Sequence, residues 1–126
     1  MNKRRGSPNP SVQVKRAVIR RDGGFCVLRL PGCLGEAQTT DHRANRQAGG
    51  SRLLNDPAVL IGACTICNGN KESTTGEVRA ELIRRGLIVL PASTHEKTLA
   101  RVKDTPVIYP DGSTWLLIDA STRERT

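Results

Sequence analysis

A chain of 126 residues that is 37% hydrophobic, with one Phe, one Tyr and one Trp, has length for one domain but a thin core. A net charge of +8 and a pI near 10 make a polyanion the default partner. No apolar run reaches 18 residues and no signal-peptide pattern is present, which excludes a membrane helix and reads as a soluble, cytoplasmic protein.

Residues 1–10 begin "MNKRRGSPN" and are basic and rich in Pro and Gly, so they read as a flexible tail. Ser11 can cap a helix through "VQVKRAVIRR", with Val14, Ala17 and Val18 on one face and Lys15, Arg16 and Arg20 elsewhere. Gly23 and Gly24 stop it. "FCVLRLPGC" is predicted to form two short arms around a Pro-Gly turn, with Cys26 and Cys33 on the arms. The polar segment "TTDHRAN" follows, then a loop containing Gly49, Gly50 and the Asn55-Asp56-Pro57 turn. "ACTICNGNK" carries Cys64 and Cys67 into a helix start. "GEVRAELIRRG" reads as a helix with an apolar stripe of Val78, Leu82 and Ile83, stopped by Gly86. After Pro91, Ser93 and Glu96 form a capping box for another helix, and "VIYPDGSTWLLID" is a hairpin signal. Its apolar residues Val107, Ile108, Trp115, Leu116 and Ile118 are expected to be hairpin core, because two aromatics make a poor base-stacking platform.

Four cysteines in a reducing compartment more often bind metal than form disulfides. Cys64-x-x-Cys67 is a tight metal-binding pair; Cys26 and Cys33, six residues between them, are spaced more loosely, yet a turn can close that gap. Two disulfides are the competing reading, and a thioredoxin-like redox pair fits poorly without a βαβ pattern. One structural Zn²⁺ on Cys26, Cys33, Cys64 and Cys67 is therefore predicted, and it would supply folding free energy that the thin core lacks.

Such a metal would pin the polar segment against the second cysteine pair. Asp41 and His42 would then meet Asn68 and Lys71, bringing together two oxygen donors, an imidazole and a cation. Oxygen donors can hold a hard divalent ion, and an imidazole can deprotonate water near neutral pH, so the set suits phosphodiester hydrolysis. Arg43 and Arg46, with Arg52 nearby, are candidates for phosphate contacts, as are Lys15, Arg16 and Arg20 in the first helix. His95, beside Glu96 and Lys97, has no comparable setting and reads as solvent-facing. Asn70 and Glu72 read as surface.

"RDGGFCVLRLPGC", "TTDHR" and "ACTICNGNK" together resemble the HNH endonucleases of the ββα-metal fold, in the small zinc-stapled form common in bacteriophages and bacteria; the likeness covers roughly residues 14–75. The resemblance implies a zinc-stapled ββα-metal core; with the helices and hairpin read from the residues, the chain is expected to be an α+β domain with a nuclease domain over 11–90 and a helix-and-hairpin extension over 91–126. It implies metal-dependent cleavage of DNA, leaving 5′-phosphate and 3′-hydroxyl ends. It casts His42 as general base, Asp41 and Asn68 as ligands of a catalytic Mg²⁺ or Mn²⁺, and Lys71 as a residue that contacts phosphate or supports the site. It also brings a phage packaging terminase into view as a partner machine. In one place the sequence departs from the family. Where an Asn usually stands five residues before the Cys-x-x-Cys, this chain has Val59; Asn55 is a nearby candidate to replace it. Val59 makes a non-catalytic zinc-stapled nucleic-acid binder the rival reading, and a protein-interaction module of a phage particle is more distant.

Overall fold

The computed structural model describes residues 9–45 and 52–126. The expectations for the basic tail through residue 8, for the phosphate contact by Arg46 and for the Gly49-Gly50 pair fall outside the described residues.

The described residues form a mixed α+β domain with four helices and two small sheets. The first helix, α1 (Val12–Arg21), starts where expected: the Ser11 hydroxyl accepts from the Val14 amide at 3.1 Å. Gly23 and Gly24, both at positive φ, turn the chain out of it. Strands β1 (Thr39–His42) and β2 (Leu60–Ala63) pair antiparallel, with Thr39 opposite Ala63 and His42 opposite Leu60. β2 is buried along its whole length, and α1 crosses the sheet at Gly62. A Cβ there would lie 3.3 Å from Ala37 Cβ, 3.4 Å from the Phe25 carbonyl and 3.7 Å from Ile19 Cα, so glycine permits the close crossing. Cys64 then caps α2 (Thr65–Asn70), its sulfur accepting from the Cys67 amide at 3.3 Å. Strand, strand and helix thus follow one another through 39–70.

The Pro-Gly arms are not paired strands. A single antiparallel bridge, Phe25 with Glu36, closes that segment; the Val27 amide donates to the Gly62 carbonyl at 2.9 Å and the Cys33 amide to the Leu30 carbonyl at 3.0 Å, and amide–sulfur bonds described below add to these. Helix α3 (Gly76–Arg84) has the expected position and stop but not the expected stripe. Leu82 is 1% exposed, whereas Val78 and Ile83 are 42% and 40% exposed. Only the C-terminal end of the helix dips into the core; Val78, one turn earlier, lies beside Leu30 and Pro31 at the surface. Gly86 takes φ +74°, and a Cβ there would sit 2.1 Å from the Pro106 carbonyl oxygen, so no other residue fits.

Helix α4 (His95–Asp104) begins one residue later than the capping box suggests. Thr94, not Ser93, accepts from the Lys97 amide at 3.0 Å, which turns Thr98 and Val102 inward. The expected hairpin, β3 (Val107–Ile108) with β4 (Thr114–Leu117), gains a third strand, β5 (Arg123–Arg125), that the sequence does not announce. Its Arg-Glu-Arg run has no apolar alternation; it is held partly by the Arg123 guanidinium, 4.0 Å from the Trp115 ring centroid and 4.7 Å from that of Tyr109. Val107 is buried as expected, but Ile118 is 45% exposed because it lies beyond the end of β4.

Two buried clusters hold the domain. One surrounds the cysteines and includes Leu28, Ile61, Leu82, Leu87, Val107 and Leu117; the other joins Ala44, Leu54, Val59, Val89 and Val102. Both draw on residues from either side of Pro91, so the segment 91–126 is packed into each of them. No helix among the described residues is long and apolar enough to cross a membrane.

Candidate functional site

The four cysteines converge. Their sulfurs all lie within 4.8 Å of one another, and Cys33 and Cys64 are 3.9 Å apart. That separation is far beyond a disulfide bond and close to the edge of a tetrahedron with metal–sulfur distances of about 2.3 Å. Backbone amides of Leu30, Leu34, Gly35 and Cys67 point at the sulfurs of Cys67, Cys64, Cys33 and Cys64 respectively, at 3.3–3.5 Å. Donors so arranged favour thiolate. Burial opposes ionisation of Cys64, yet the Leu34 and Cys67 amides outweigh it and bring the thiol down to about 6. Burial pushes Cys26 and Cys67 up. The cluster fits a metal ion such as zinc, and the looser Cys26/Cys33 spacing is closed by the turn through Gly32, where φ is +84°.

Behind this cluster, β1 and α2 present the polar residues. His42 ends β1, Asp41 precedes it, and Asn68 and Lys71 project from α2 and the turn that follows it. Asp41, His42 and Asn68 line one open cleft of about 430 Å³ together with Lys15 of α1. Three of the four residues singled out around the Asp-His pair thus line one cleft, joined there by one of the predicted basic residues.

His42 is oriented. Its Nε2 lies 2.8 Å from the Asn55 Oδ1, on the short 3₁₀ turn Arg52–Asn55. An amide oxygen can only accept, so this contact pairs with the tautomer that is protonated at Nε2. Val59, where an Asn was anticipated, is fully buried in the second core cluster against Ala44, Leu54 and Val102. Helix α4 covers that position, so a polar side chain there would be buried without need. Asn55 reaches the imidazole from the neighbouring turn instead.

Lys71 sits beneath the cleft. It is 2% exposed, and its Nζ donates to Asp41 Oδ2 at 2.5 Å and to the His42 carbonyl at 2.7 Å. Of its two anticipated roles, support fits this placement and phosphate contact does not. Burial pushes the Asp41 carboxyl above the usual carboxylate range, and the Lys71 ammonium works against that shift. Asp41 Oδ1 takes no hydrogen bond from the described residues, so one carboxylate oxygen and the Asn68 amide remain as oxygen donors on the cleft wall. Two such donors suit an ion of the Mg²⁺ type, which keeps several waters and binds through one or two carboxylates plus substrate phosphate.

Arg43 is a correction. It is 1% exposed, and its guanidinium donates to the carbonyls of Gly86, Ala58 and Thr105 at 2.6–2.8 Å, and to Val102 at 3.5 Å. Burial lowers its pKa to about 10, still well above neutrality. It ties β1 to α3 and α4 and cannot reach a phosphate. Arg21 and Arg85 are also buried and bind carbonyls: Arg21 reaches Leu60, Pro57 and Asp119, and Arg85 reaches Val27, Leu28 and Ile108. The Asp22 carboxylate neutralises Arg21 and also accepts from the Tyr109 hydroxyl and the Gly62 amide. Arg16 and Arg20 are exposed on α1, as a phosphate contact requires, and Lys15 is half-buried at the cleft. His95 starts α4, away from the cleft. Glu72, read as surface, also lines the cleft. No family profile, curated protein or solved structure matches the chain, so the chemistry of the site is read from its own residues.

Proposed function

We propose that the protein is a metal-dependent endonuclease of the HNH type that hydrolyses DNA phosphodiester bonds, with a structural zinc on Cys26, Cys33, Cys64 and Cys67. The observation that carries this reading is the orientation of His42 by Asn55 in a cleft that also presents Asp41 and Asn68. The imidazole of His42 takes a proton from a water molecule in the cleft as that water attacks phosphorus. Asn55 holds the ring through that transfer and stabilises the imidazolium that results. Lys71 fixes the Asp41 carboxylate and the His42 backbone on one cation, so the base and the oxygen donors keep their relative positions. A Mg²⁺ or Mn²⁺ held by Asp41 and Asn68 would stabilise the charge developing on the phosphate and on the departing 3′ oxygen. The resemblance implies 5′-phosphate products.

The Val59 replacement, taken alone, favours a zinc-stapled binder without catalysis. The Asn55 contact supports the catalytic reading over the binder, because it gives the imidazole a side-chain partner from a neighbouring turn. The test is supercoiled plasmid incubated with zinc-loaded protein and either Mg²⁺ or Mn²⁺. Metal-dependent nicking that disappears in His42→Ala supports the nuclease; a gel shift with no nicking under either ion supports the binder. DNA as partner, phage origin and association with a packaging machine belong to the same proposal, and the +8 charge supports only the first of them.

A further inference from the structure

We infer that Arg79, on α3, is a phosphate anchor that holds the nucleic-acid strand on the far side of His42 from Lys15. The cleft of about 430 Å³ is one lobe of a longer trench. A second lobe of about 300 Å³ shares His42, Asn45 and Glu72 with it, and Arg79 borders only this second lobe, as Lys15 borders only the first. A strand whose scissile phosphate lies at His42 must continue in both directions, and each lobe offers it a path.

Three cations border the second lobe, and two are already committed. Arg43 is spent on backbone carbonyls, and Lys71 on Asp41 and the His42 carbonyl. The Arg79 guanidinium makes no hydrogen bond or ion pair among the described residues, although the side chain is half-buried. Its helix neighbour Arg84 points outward and pairs with Glu81 at 2.6 Å. The carboxylate of Glu72 opposes an incoming phosphate where the lobes meet, so a fixed positive charge beyond it is what a polyanion needs to enter. Arginine suits the task because its planar fork binds phosphate oxygens in pairs.

This inference takes its substrate class from the nuclease reading, but its test reads binding alone. His42→Ala protein, unable to cut under that reading, is titrated with a labelled DNA duplex by fluorescence anisotropy at a series of salt concentrations. Adding Arg79→Gln should lower the slope of log K against log salt by about 0.9, the value for one lost phosphate contact. Lys15→Gln should do the same, Arg84→Gln should leave the slope unchanged, and Arg79→Lys should restore most of it. Equal slopes for Arg79→Gln and Arg84→Gln overturn the anchor, as does an absence of binding at low salt. If Arg79→Gln lowers the slope in a protein whose wild-type form cuts no plasmid, the anchor stands and the nuclease reading falls.

Discussion

At the scale of single residues, the adjacency of Asp41 and His42 was legible because a polar pair between two cysteine pairs has little structural use. The partner of His42 was not legible. Asn55 and the imidazole are thirteen positions apart, and their 2.8 Å contact depends on the path of the chain between them. Asn55→Ala should lower single-turnover cleavage by about 10²-fold, the low end of what a positioned base contributes, with little change in melting temperature. An unchanged rate would remove Asn55 from the account. Arginine roles were equally hidden: composition cannot separate Arg43, sealed inside and bound to carbonyls, from Arg16 on the surface. Arg43→Met should leave several buried carbonyls without donors, costing on the order of 3 kcal/mol and lowering the melting temperature by about 10 °C. Calorimetry that finds Arg43→Met as stable as wild type would contradict that role.

At the scale of elements, helices announced themselves best. Ser11, Gly23 and Gly86 mark boundaries through local backbone chemistry, and the structure follows them. Burial of a helix face is a tertiary property, which is why Val78 and Ile83 fail as core. The Cys26–Cys33 segment fails as two arms for a related reason. Its amides are divided among a turn, the Gly62 carbonyl of β2 and cysteine sulfur, and the sulfur acceptors of Leu30, Leu34 and Gly35 are in place only because all four cysteines converge. Zinc removal should therefore disorder this segment and the adjoining β1, β2 and α2 together. Metal analysis should return one zinc per chain, and a strong chelator should lower the melting temperature by well over 10 °C. A chelated protein with unchanged circular dichroism and melting would contradict the staple.

At the scale of the whole molecule, Pro91 looked like a boundary because it separates two helical patterns. Physically it is a bend between packed segments, since Val102, Val107, Tyr109 and Leu117 complete the clusters that Leu54, Val59 and Leu82 begin. A chain ended at Leu90 should lose cooperative unfolding and become protease-sensitive, and a stable, cooperatively melting 1–90 fragment would show the extension to be separable. The net charge of +8 was legible at once, but its distribution was not. Arg21, Arg43 and Arg85 are used internally, whereas Arg16 and Arg20 on α1 and Arg29, Arg84, Lys97, Arg101, Lys103 and Arg125 elsewhere are exposed. Cleavage, base and staple meet in one experiment: single-turnover reaction of zinc-loaded protein with an end-labelled DNA duplex in Mg²⁺ or Mn²⁺. Wild type should release products with 5′-phosphate ends and His42→Ala should release none above background. Cleavage by His42→Ala at the wild-type rate, or none by folded, zinc-loaded wild type in either ion, would contradict the assignment of His42 as the catalytic base.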